Sequence, residues 1–362
     1  MDTTVFDISF DASGICNYCA DFDKKIGLYR FSKEESERKI NYLVKKIKDK
    51  GRKNEFDSIL GLSGGVDSSY VAYLAYKYGL RPLVIHFDNG WNSENAVSNI
   101  KKIVDKCGFS LETYIINWPE FRDLQRSFLK ASVVDIEMIT DHAILAAMFH
   151  YAKKYSIKYV LSGENFATEH GLPKAWIWRK TDITNIRDIQ QRFGQLRLKS
   201  FPVIGSLKYA FIRKTGLTFE YIMLLNNLNY KKTEAMKALS EKFSWQYYGG
   251  KHHESVFTKF YQNYILPEKF GIDKRIVHWS ALIRNGEVTR RQAQEELSKP
   301  LYSELELTAD KDYVLDKLGF TEDEFRNIMK QKPLPHDFYR SYGKYFDFLR
   351  GIYKTLFRSK SN

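Results

Sequence analysis

Between residues 56 and 161 the chain alternates short apolar runs with helical patterns, and this alternation constrains the fold more than any other feature. The apolar runs are Phe56–Leu62, Pro82–Phe87, Leu111–Ile116 and Lys158–Leu161. A helical pattern over Val66–Tyr78 follows the first run, and another over Thr140–Tyr155 precedes the fourth. Because strands that are apolar throughout must be buried on both faces, the pattern predicts an α/β fold, a parallel sheet with helices on both faces.

The strand patterns fade after about residue 205, and helix signals replace them. The capping pairs Thr289/Gln292 and Thr321/Glu324 predict helix starts in this part of the chain. We therefore expect three segments in the 362 residues. Residues 1–54 carry a C-x-x-C motif and a basic helix, residues 55–210 form the α/β domain, and residues 211–362 form a mostly helical C-terminal domain.

Lys and Arg exceed Asp and Glu by 13, and two places hold nearly all of the excess. One is a basic stretch over Lys24–Lys53, where the capping pair Ser32/Glu35 predicts an amphipathic helix with a lysine-rich outer face. The other is the aromatic and basic tail from Arg350. Because the rest is close to neutral, no nucleic-acid partner is expected. The two patches fit a solvated face, a partner subunit or peripheral contact with an anionic inner membrane.

The cysteine content and the hydropathy of the chain indicate the cellular compartment in which it folds. Three cysteines cannot form a disulfide framework, and no apolar run is long enough to cross a membrane. The stretch Met1–Phe10 lacks the basic and apolar regions of a secretory signal. We expect a cytoplasmic protein.

The strongest chemical signal is the stretch Ser63–Ser69, which joins the first strand to the following helix. Its two glycines let the backbone approach an anion, and the helix start offers N–H groups and a positive dipole end. A carboxylate within such a site would hold Mg²⁺ or cap the helix. The spacing fits neither a Walker loop nor a dinucleotide fingerprint. We predict a phosphate site at Ser63, Gly64, Gly65, Asp67, Ser68 and Ser69.

These residues resemble the SGGxDS motif of the PP-loop ATP pyrophosphatase superfamily. The resemblance covers about residues 56–165 and implies that ATP is cut between its α- and β-phosphates. It further implies Mg²⁺ as a cofactor and Asp67 as a catalytic residue. A substrate oxygen would be adenylated, and a nitrogen or sulfur nucleophile would then displace AMP.

Parallel sheets bind ligands at the carboxyl ends of their strands, so further site residues are expected there. After the second strand stand His86, Phe87 and Asp88, which the superfamily analogy assigns to adenine or ribose; a simple turn is the alternative. After the fourth strand stand Glu164, a catalytic candidate, and Asn165. Asp141 is a third catalytic candidate, or a helix cap. A basic, aromatic loop follows, and it either clamps the substrate or packs as a surface loop; its candidates are Lys174, Trp176, Lys180 and Asp182.

Cys16 and Cys19 form a C-x-x-C motif. Such a pair binds zinc, works as a redox pair or has no special role. Zinc needs four ligands, and no second cysteine pair exists to complete the site. A structural Zn²⁺ held by Cys16, Cys19, His252 and His278 is one hypothesis; free thiols and ordinary histidines are the alternative.

Several stretches together resemble the N-acetyl sugar amidotransferases of lipopolysaccharide O-antigen biosynthesis. They are Cys16–Cys19, His86–Glu94, Ser162–Asn165, Tyr248–His252 and Lys269–Arg275. The resemblance spans nearly the whole chain and implies that ATP activates the acetamido oxygen of a nucleotide-linked N-acetyl sugar. Ammonia from a glutaminase and cyclase-like partner pair would then replace that oxygen, giving an acetamidino group.

Two other functions remain open from the residues alone. A tRNA-modifying adenylating thiolase of the same superfamily would suit the positive charge, although such chemistry commonly uses more paired cysteines than this chain has. A non-catalytic ATP-binding sensor would use the same sheet without turnover. The intact loop and the large C-terminal domain favour an enzyme.

Overall fold

A five-stranded parallel sheet organises the larger part of the chain. The computed structural model describes residues 1, 3–205, 209, 219–250 and 253–343. The strands are β1 (Ser58–Gly61), β2 (Pro82–Asp88), β3 (Ser110–Ile115), β4 (Tyr159–Ser162) and β5 (Glu220–Met223). Their order is β3-β2-β1-β4-β5, and every neighbouring pair is parallel. The strand order therefore reverses between β1 and β4, with β2 and β3 on one side and β5 on the other. Open parallel sheets bind ligands in the crevice at the carboxyl ends of the strands at such a point.

Helices account for most of the remaining described residues. They are α1 (Asn17–Ile26), α2 (Lys33–Gly51), α3 (Val66–Lys77), α4 (Glu94–Cys107), α5 (Trp118–Lys130), α6 (Met138–Lys154), α7 (Phe166–Glu169), α8 (Ile183–Phe193), α9 (Lys232–Phe243), α10 (Val256–Phe260), α11 (Leu266–Phe270), α12 (Arg275–Arg284), α13 (Arg290–Leu297), α14 (Glu304–Leu318) and α15 (Glu322–Lys330). A π-helical turn (Tyr261–Ile265) joins α10 to α11. Short 3-10 turns lie at Lys174–Trp176, Leu224–Asn227 and His336–Phe338.

Both faces of the sheet are covered, as predicted. On one face α2, α3, α4 and α9 share a hydrophobic core with the inner strands. On the other face Met148 of α6 reaches Gly61 of β1, where an added Cβ would lie 3.1 Å from its methyl carbon. Tyr151 of α6 also meets Tyr114 of β3 edge-on, at 6.4 Å between ring centroids. The predicted α/β class and the helical C-terminal region are confirmed.

The expectation that strands end near residue 205 is wrong, because β5 completes the sheet beside β4. This strand lies at the edge, and only Ile222 among its four residues is buried. Its neighbours Tyr221 and Met223 are exposed. An edge strand covered on one side lacks the continuous apolar run by which the inner strands are recognised.

The predicted basic helix is α2. It begins with a capping box in which Ser32 and Glu35 each bond the other's backbone N–H. Ile40, Val44 and Ile47 are buried on its inner face. The capping boxes predicted at Thr289 and Thr321 are present as well. The basic tail from Arg350 lies outside the described residues.

The chain divides into two compact units, each built from separated segments. The first contains Met1–Ile116, Ala147–Pro173 and Thr218–Val314, and it includes the whole sheet. The second contains Asn117–Ala146, Lys174–Leu217 and Leu315–Asn362. The boundaries predicted after residues 54 and 210 divide the chain by sequence order and stay a prediction. Within the described ranges, no helix combines the length and the apolar character needed to cross a membrane.

The second unit is organised around buried polar groups. Asp135 accepts hydrogen bonds from Trp178 N and Lys180 Nζ, and its own N–H donates to His336 Nε2 at 3.2 Å. The other ring nitrogen of His336 lies 2.9 Å from Asn185 Oδ1. Burial, helped by the charge of Lys180, lowers the pKa of His336 to about 3. The histidine is therefore neutral, with Nε2 as an acceptor and Nδ1 as a donor.

Candidate nucleotide-binding site

The loop from β1 to α3 turns at Gly64, whose φ of +82° favours glycine. A Cβ at this position would lie 2.5 Å from Ala96 O, so any side chain would force the loop away from α4. The indole Nε1 of Trp245 donates to Gly64 O at 3.0 Å and fixes the turn from its other side. The conformation of the phosphate loop is thus set by close packing, and residue 64 must be glycine.

Helix α3 begins at the end of this loop without a side-chain cap. Its N-cap is Gly65, and the hydroxyls of Ser63 and Ser68 bond the Gly65 backbone at 3.2 and 3.3 Å. The same two hydroxyls lie 3.2 Å apart. A helix N-terminus that begins at a glycine and has hydroxyl groups beside it is suited to an anion such as pyrophosphate.

A cavity of about 150 Å³ opens at this helix start. Its wall includes four residues predicted from the motif: Ser63, Gly65, Asp67 and Ser68. Gly64 shapes the loop behind this wall, and Ser69 is fully buried. The other lining residues are Val66, Gly163, Glu169, Lys232, Tyr248 and Glu254. The cavity therefore combines a phosphate loop with three carboxylates and one ammonium group.

Asp67 is held by a tyrosine from a distant part of the chain. The hydroxyl of Tyr230 donates to Asp67 Oδ1 at 2.5 Å. Burial of Tyr230, together with the negative charge of Asp67, raises the pKa of this phenol well above its ordinary value. Tyr230 therefore stays protonated and orients the Asp67 carboxylate within the cavity wall.

The end of β4 touches the phosphate loop at Gly163. An added Cβ there would lie 2.9 Å from Ser68 N and 3.1 Å from the Asp67 carbonyl carbon. The loops after β1 and β4 therefore close on each other at the point where the sheet order reverses. This crevice is the expected ligand position in an open parallel sheet.

Tyr248 and Glu254 complete the wall from a segment that follows α9. A Cβ at Gly65 would lie 3.1 Å from Tyr248 Oη and 3.2 Å from Glu254 Oε1. The segment is anchored to the loop after β2, because Ser93 N donates to Glu254 O and Val256 N to Trp91 O, both at 2.9 Å. Burial and the charge of Glu254 raise the pKa of Tyr248. Sequence reasoning missed both residues as site residues, although Tyr248 stands in one of the stretches with family resemblance.

His86 and Asp88 form a polar network at the end of β2. His86 Nδ1 lies 3.2 Å from Leu62 O, and its Nε2 lies 3.1 Å from Asn92 Nδ2. Asp88 accepts hydrogen bonds from Gly90 N and from Asn92 Nδ2. Phe87 stacks on Tyr114 with 5.4 Å between ring centroids. These contacts shape the loop after β2, and the predicted adenine or ribose contact stays a prediction.

Glu164 and Asn165 differ in their surroundings. Asn165 is buried and caps α7 by accepting hydrogen bonds from the N–H and hydroxyl of Thr168. Glu164 is exposed and follows Gly163 directly. Of the acidic residues after β4, it is Glu169 that lines the described cavity. The catalytic role of Glu164 stays a prediction.

The remaining substrate and catalytic candidates belong to the second unit. Lys180 forms ion pairs with Asp135 and Asp141, each at 2.8 Å, and these two carboxylates raise its pKa although burial opposes this. Asp182 caps α8 and accepts from Trp178 Nε1. Trp176 is buried, and Lys174 is exposed. Asp141, Lys180 and Asp182 thus have structural partners, and their roles toward a substrate stay predictions.

Cys16 and Cys19 stand at the start of α1. Cys16 is its N-cap, and Cys19 N donates to Cys16 Sγ at 3.4 Å. His278 lines another cavity of the same unit, and His252 lies outside the described residues. Across the residues that the structure describes, no group of three or more His, Cys, Asp or Glu side chains could hold a metal ion. The zinc hypothesis receives no support from this arrangement.

Two family models match the chain. The NAD synthase model matches residues 39–173, and the model of the C-terminal domain of WbpG-like LPS biosynthesis proteins matches residues 254–353. No curated protein matches.

Three solved structures illustrate the similarity. NMN synthetase from Francisella tularensis is 19% identical over 65% of this chain and 94% of its own, with a TM-score of 0.31. The U34-tRNA thiolase NcsA from Methanococcus maripaludis, solved with its [4Fe-4S] cluster, is 14% identical over 72% and 82%, with a TM-score of 0.34. The NH3-dependent NAD synthetase from Campylobacter jejuni is 17% identical over 59% and 85%, with a TM-score of 0.31.

The phosphate loop, the parallel sheet and the NAD synthase match give residues 39–173 the features of an ATP-utilising domain of the PP-loop type. Residues 254–353 are similar to the C-terminal domain of WbpG-like proteins of lipopolysaccharide biosynthesis. The family resemblance predicted from the sequence is confirmed at this level.

Proposed function

We propose that this enzyme converts the acetamido group of a nucleotide-linked N-acetyl sugar to an acetamidino group, using ATP and ammonia. The observation that carries the proposal is the cavity at the start of α3, where the phosphate loop meets Tyr248 and Glu254. Glu254 is the first residue of the stretch that matches the WbpG-like model. The ATP-binding loop and the lipopolysaccharide-biosynthesis part of the chain thus share one site.

The proposed reaction has two balanced steps. In the first step the acetamido oxygen attacks the α-phosphorus of ATP, pyrophosphate leaves, and the amide N–H proton is lost to give an O-adenylyl imidate. In the second step ammonia adds to the imidate carbon and AMP leaves, so that NH replaces O. The first step is needed because an amide oxygen is a poor leaving group, whereas AMP is a good one.

The residues at the cavity suit the first step. The N-terminus of α3 and the hydroxyls of Ser63 and Ser68 would bind the departing pyrophosphate. Lys232 would add a positive charge, and Tyr230 keeps Asp67 in one orientation. Such sites act by positioning the reactants and by stabilising charge on the phosphates.

Carboxylates of the cavity fit the requirements of Mg²⁺. This ion is usually held by one or two carboxylates together with substrate phosphates, rather than by a complete protein cage. Asp67 and Glu254 would hold it, and it would neutralise phosphate charge when bound. The three-residue metal clusters missing among the described residues are not required for this mode of binding.

We propose nitrogen rather than sulfur as the incoming nucleophile. The stretch that matches the WbpG-like model contributes Glu254 to the wall of the phosphate-loop cavity, and this favours the sugar-modifying reaction over the thiolase alternative. We further propose that a glutaminase and cyclase-like partner pair supplies the ammonia, and that the enzyme works in the cytoplasm.

The direct test incubates the purified chain with ATP, Mg²⁺, ammonium and a panel of UDP-linked N-acetyl sugars. We expect AMP and pyrophosphate to form only with the correct sugar, and mass spectrometry to show NH in place of O. Release of pyrophosphate that depends on tRNA would support the thiolase. ATP binding without pyrophosphate release under any acceptor would support the sensor.

Asp67→Asn tests the site within the same assay. We expect pyrophosphate release to fall by about 100-fold, the scale for losing a group that stabilises charge on phosphates. Asp105→Asn on the exposed side of α4 is the matched control and should keep full activity. Full activity of Asp67→Asn would overturn the assignment of the phosphate loop.

A further inference from the structure

Another cavity of the first unit, larger than the one at the phosphate loop, has a volume of about 390 Å³. It is bounded by the start of α9, the segment Tyr247–Gly250, one face of α12 and the chain after α13. Small-molecule sites commonly have volumes from about 300 to 1,000 Å³. The cavity is therefore large enough for much of a small-molecule ligand.

One face of α12 contributes four side chains to the wall of this cavity. Arg275, His278, Trp279 and Leu282 line it, and they follow the i, i+3, i+4, i+7 spacing of a single helical face. Arg275 also packs against the end of α13, because its guanidinium donates to the carbonyls of Lys299 and Leu297 at 2.8 and 3.4 Å. The other three side chains give this part of the wall an imidazole, an indole and an aliphatic group.

The charges in the wall favour an anionic ligand. Lys232, Lys274, Arg275 and Lys299 oppose Glu287 and Glu296. Arg275 and Lys299 form ion pairs with Asp273 and Glu296, at 2.8 and 2.6 Å. Lys232 and Lys274 stand at the starts of α9 and α12, where the carboxylates of Glu287 and Asp273 accept hydrogen bonds from Thr233 N and Arg275 N, at 3.2 and 2.9 Å. Anion binding by this wall therefore depends on the lysine ammonium groups, which form charge-assisted hydrogen bonds to phosphate.

Tyr247 and Trp279 contribute aromatic surface to the same wall. Tyr247 is part of an aromatic cluster with Trp245 and Tyr248, at 6.3 and 5.6 Å between ring centroids. An aromatic ring of a ligand gains stacking energy on such surfaces. A ligand that combines phosphate groups with a flat aromatic base is a nucleotide.

The two cavities adjoin. Lys232 lines both of them, and the neighbouring residues Tyr247 and Tyr248 line one each. A ligand in the larger cavity can therefore present one end to the phosphate loop. An acceptor that attacks ATP must reach the α-phosphate in this way.

We propose that the larger cavity, lined by Lys232, Tyr247, Lys274 and Trp279, is the acceptor site and binds the nucleoside diphosphate part of a nucleotide-linked sugar. The inference rests on the proposed function for the identity of the acceptor. The aromatic residues hold the base, and the two lysines hold the diphosphate. The sugar extends past Lys232 toward the phosphate loop.

The test measures binding of UDP, GDP, dTDP and UDP-N-acetylglucosamine to the full chain by calorimetry without ATP. We expect at least one of these probes to bind. Lys274→Ala and Trp279→Ala should each raise its Kd about tenfold or more, because a charge-assisted hydrogen bond or a stacked ring contributes about 1.5 kcal/mol or more. Lys237→Ala, on the exposed side of α9, is the control and should bind as the wild type does. Unchanged melting curves exclude misfolding.

The outcomes separate this inference from the proposed function. If an acetamidino product forms but Lys274→Ala and Trp279→Ala keep the wild-type Kd and KM, the acceptor site is wrong and the function stands. If probe binding is lost in both variants but no sugar yields a product, the site stands and the proposed function is wrong. Failure of all four probes to bind the wild type overturns the site.

Discussion

Tyr230 and Asp67 are 163 residues apart in the chain, yet the tyrosine hydroxyl donates to Oδ1 of the aspartate at 2.5 Å. Tyr230 is 4% exposed. Its phenol stays neutral and donates a hydrogen bond, so it adds no negative charge beside the Asp67 carboxylate. The pair thus defines a single orientation for the carboxylate in the wall of the phosphate cavity. Its contribution can be measured apart from that of Asp67 itself.

Tyr230→Phe removes only this hydrogen bond. We expect kcat for pyrophosphate release to fall about tenfold, because a misdirected carboxylate loses part of its action on the phosphates. The melting temperature should change little, since the ring still fills its buried position. Tyr42→Phe, on the exposed side of α2, is the control. A Tyr230→Phe enzyme with wild-type kcat and KM would contradict the positioning role.

Gly163→Ala tests the contact between the two loops. The added methyl group would lie 2.9 Å from Ser68 N, so the phosphate loop or the end of β4 must move. We expect weaker ATP binding, by about tenfold or more, with a folded protein by circular dichroism. Gly27→Ala is the matched control, because its Cβ would meet nothing within 4 Å. Equal ATP affinities in the two variants would show that the loops tolerate the change.

Trp245→Phe leaves the Gly64 carbonyl without its indole donor. An unsatisfied buried carbonyl costs about 1–3 kcal/mol, and we expect the free energy of unfolding in urea to fall by that amount. Because Gly64 is part of the phosphate loop, ATP affinity should fall as well. Loss of stability with unchanged ATP affinity would indicate that Trp245 supports only the core.

His336 should make stability depend on pH. Burial lowers its folded-state pKa from 6.5 to about 3, so the unfolded chain binds a proton in this window and the folded chain does not. The stability that neutral His336 contributes is fully present above the pKa of the unfolded state, and it is lost as the pH falls toward the folded-state pKa of about 3. The free energy of unfolding should therefore decrease by up to about 1.4 kcal/mol for each pH unit.

The measurement for this prediction is urea unfolding of wild type and His336→Gln between about pH 7 and about pH 5. The variant should be less stable at neutral pH but should show a smaller loss on acidification. An identical pH slope in the two proteins would assign the acid sensitivity to other groups.

The sheet could be predicted as far as its strands are continuous apolar runs. β1, β2 and β4 have buried residues at nearly every position, and the periodicity identifies them. β5 could not be found in this way, because three of its four residues are exposed. Its place in the sheet depends on pairing with β4, which is a contact between distant parts of the chain.

The candidate site shows the same division. The loop residues from Ser63 to Ser68 lie within one turn and are recognisable by spacing alone. Glu169, Lys232 and Glu254 reach the cavity from separate elements, and no local pattern marks them. Conversely, Asn165 stands at the end of a strand, as a ligand-binding residue would, but its side chain caps α7.

The anchoring of Glu254 to the loop after β2 also affects how the enzyme is made. During synthesis, β1 to β4 and the phosphate loop leave the ribosome long before Tyr230, Tyr248 and Glu254 do. The nascent chain at that point also lacks Trp245, whose indole donates to Gly64 O, and it cannot close the carboxylate wall around the loop. Incomplete chains are therefore unable to assemble this cavity.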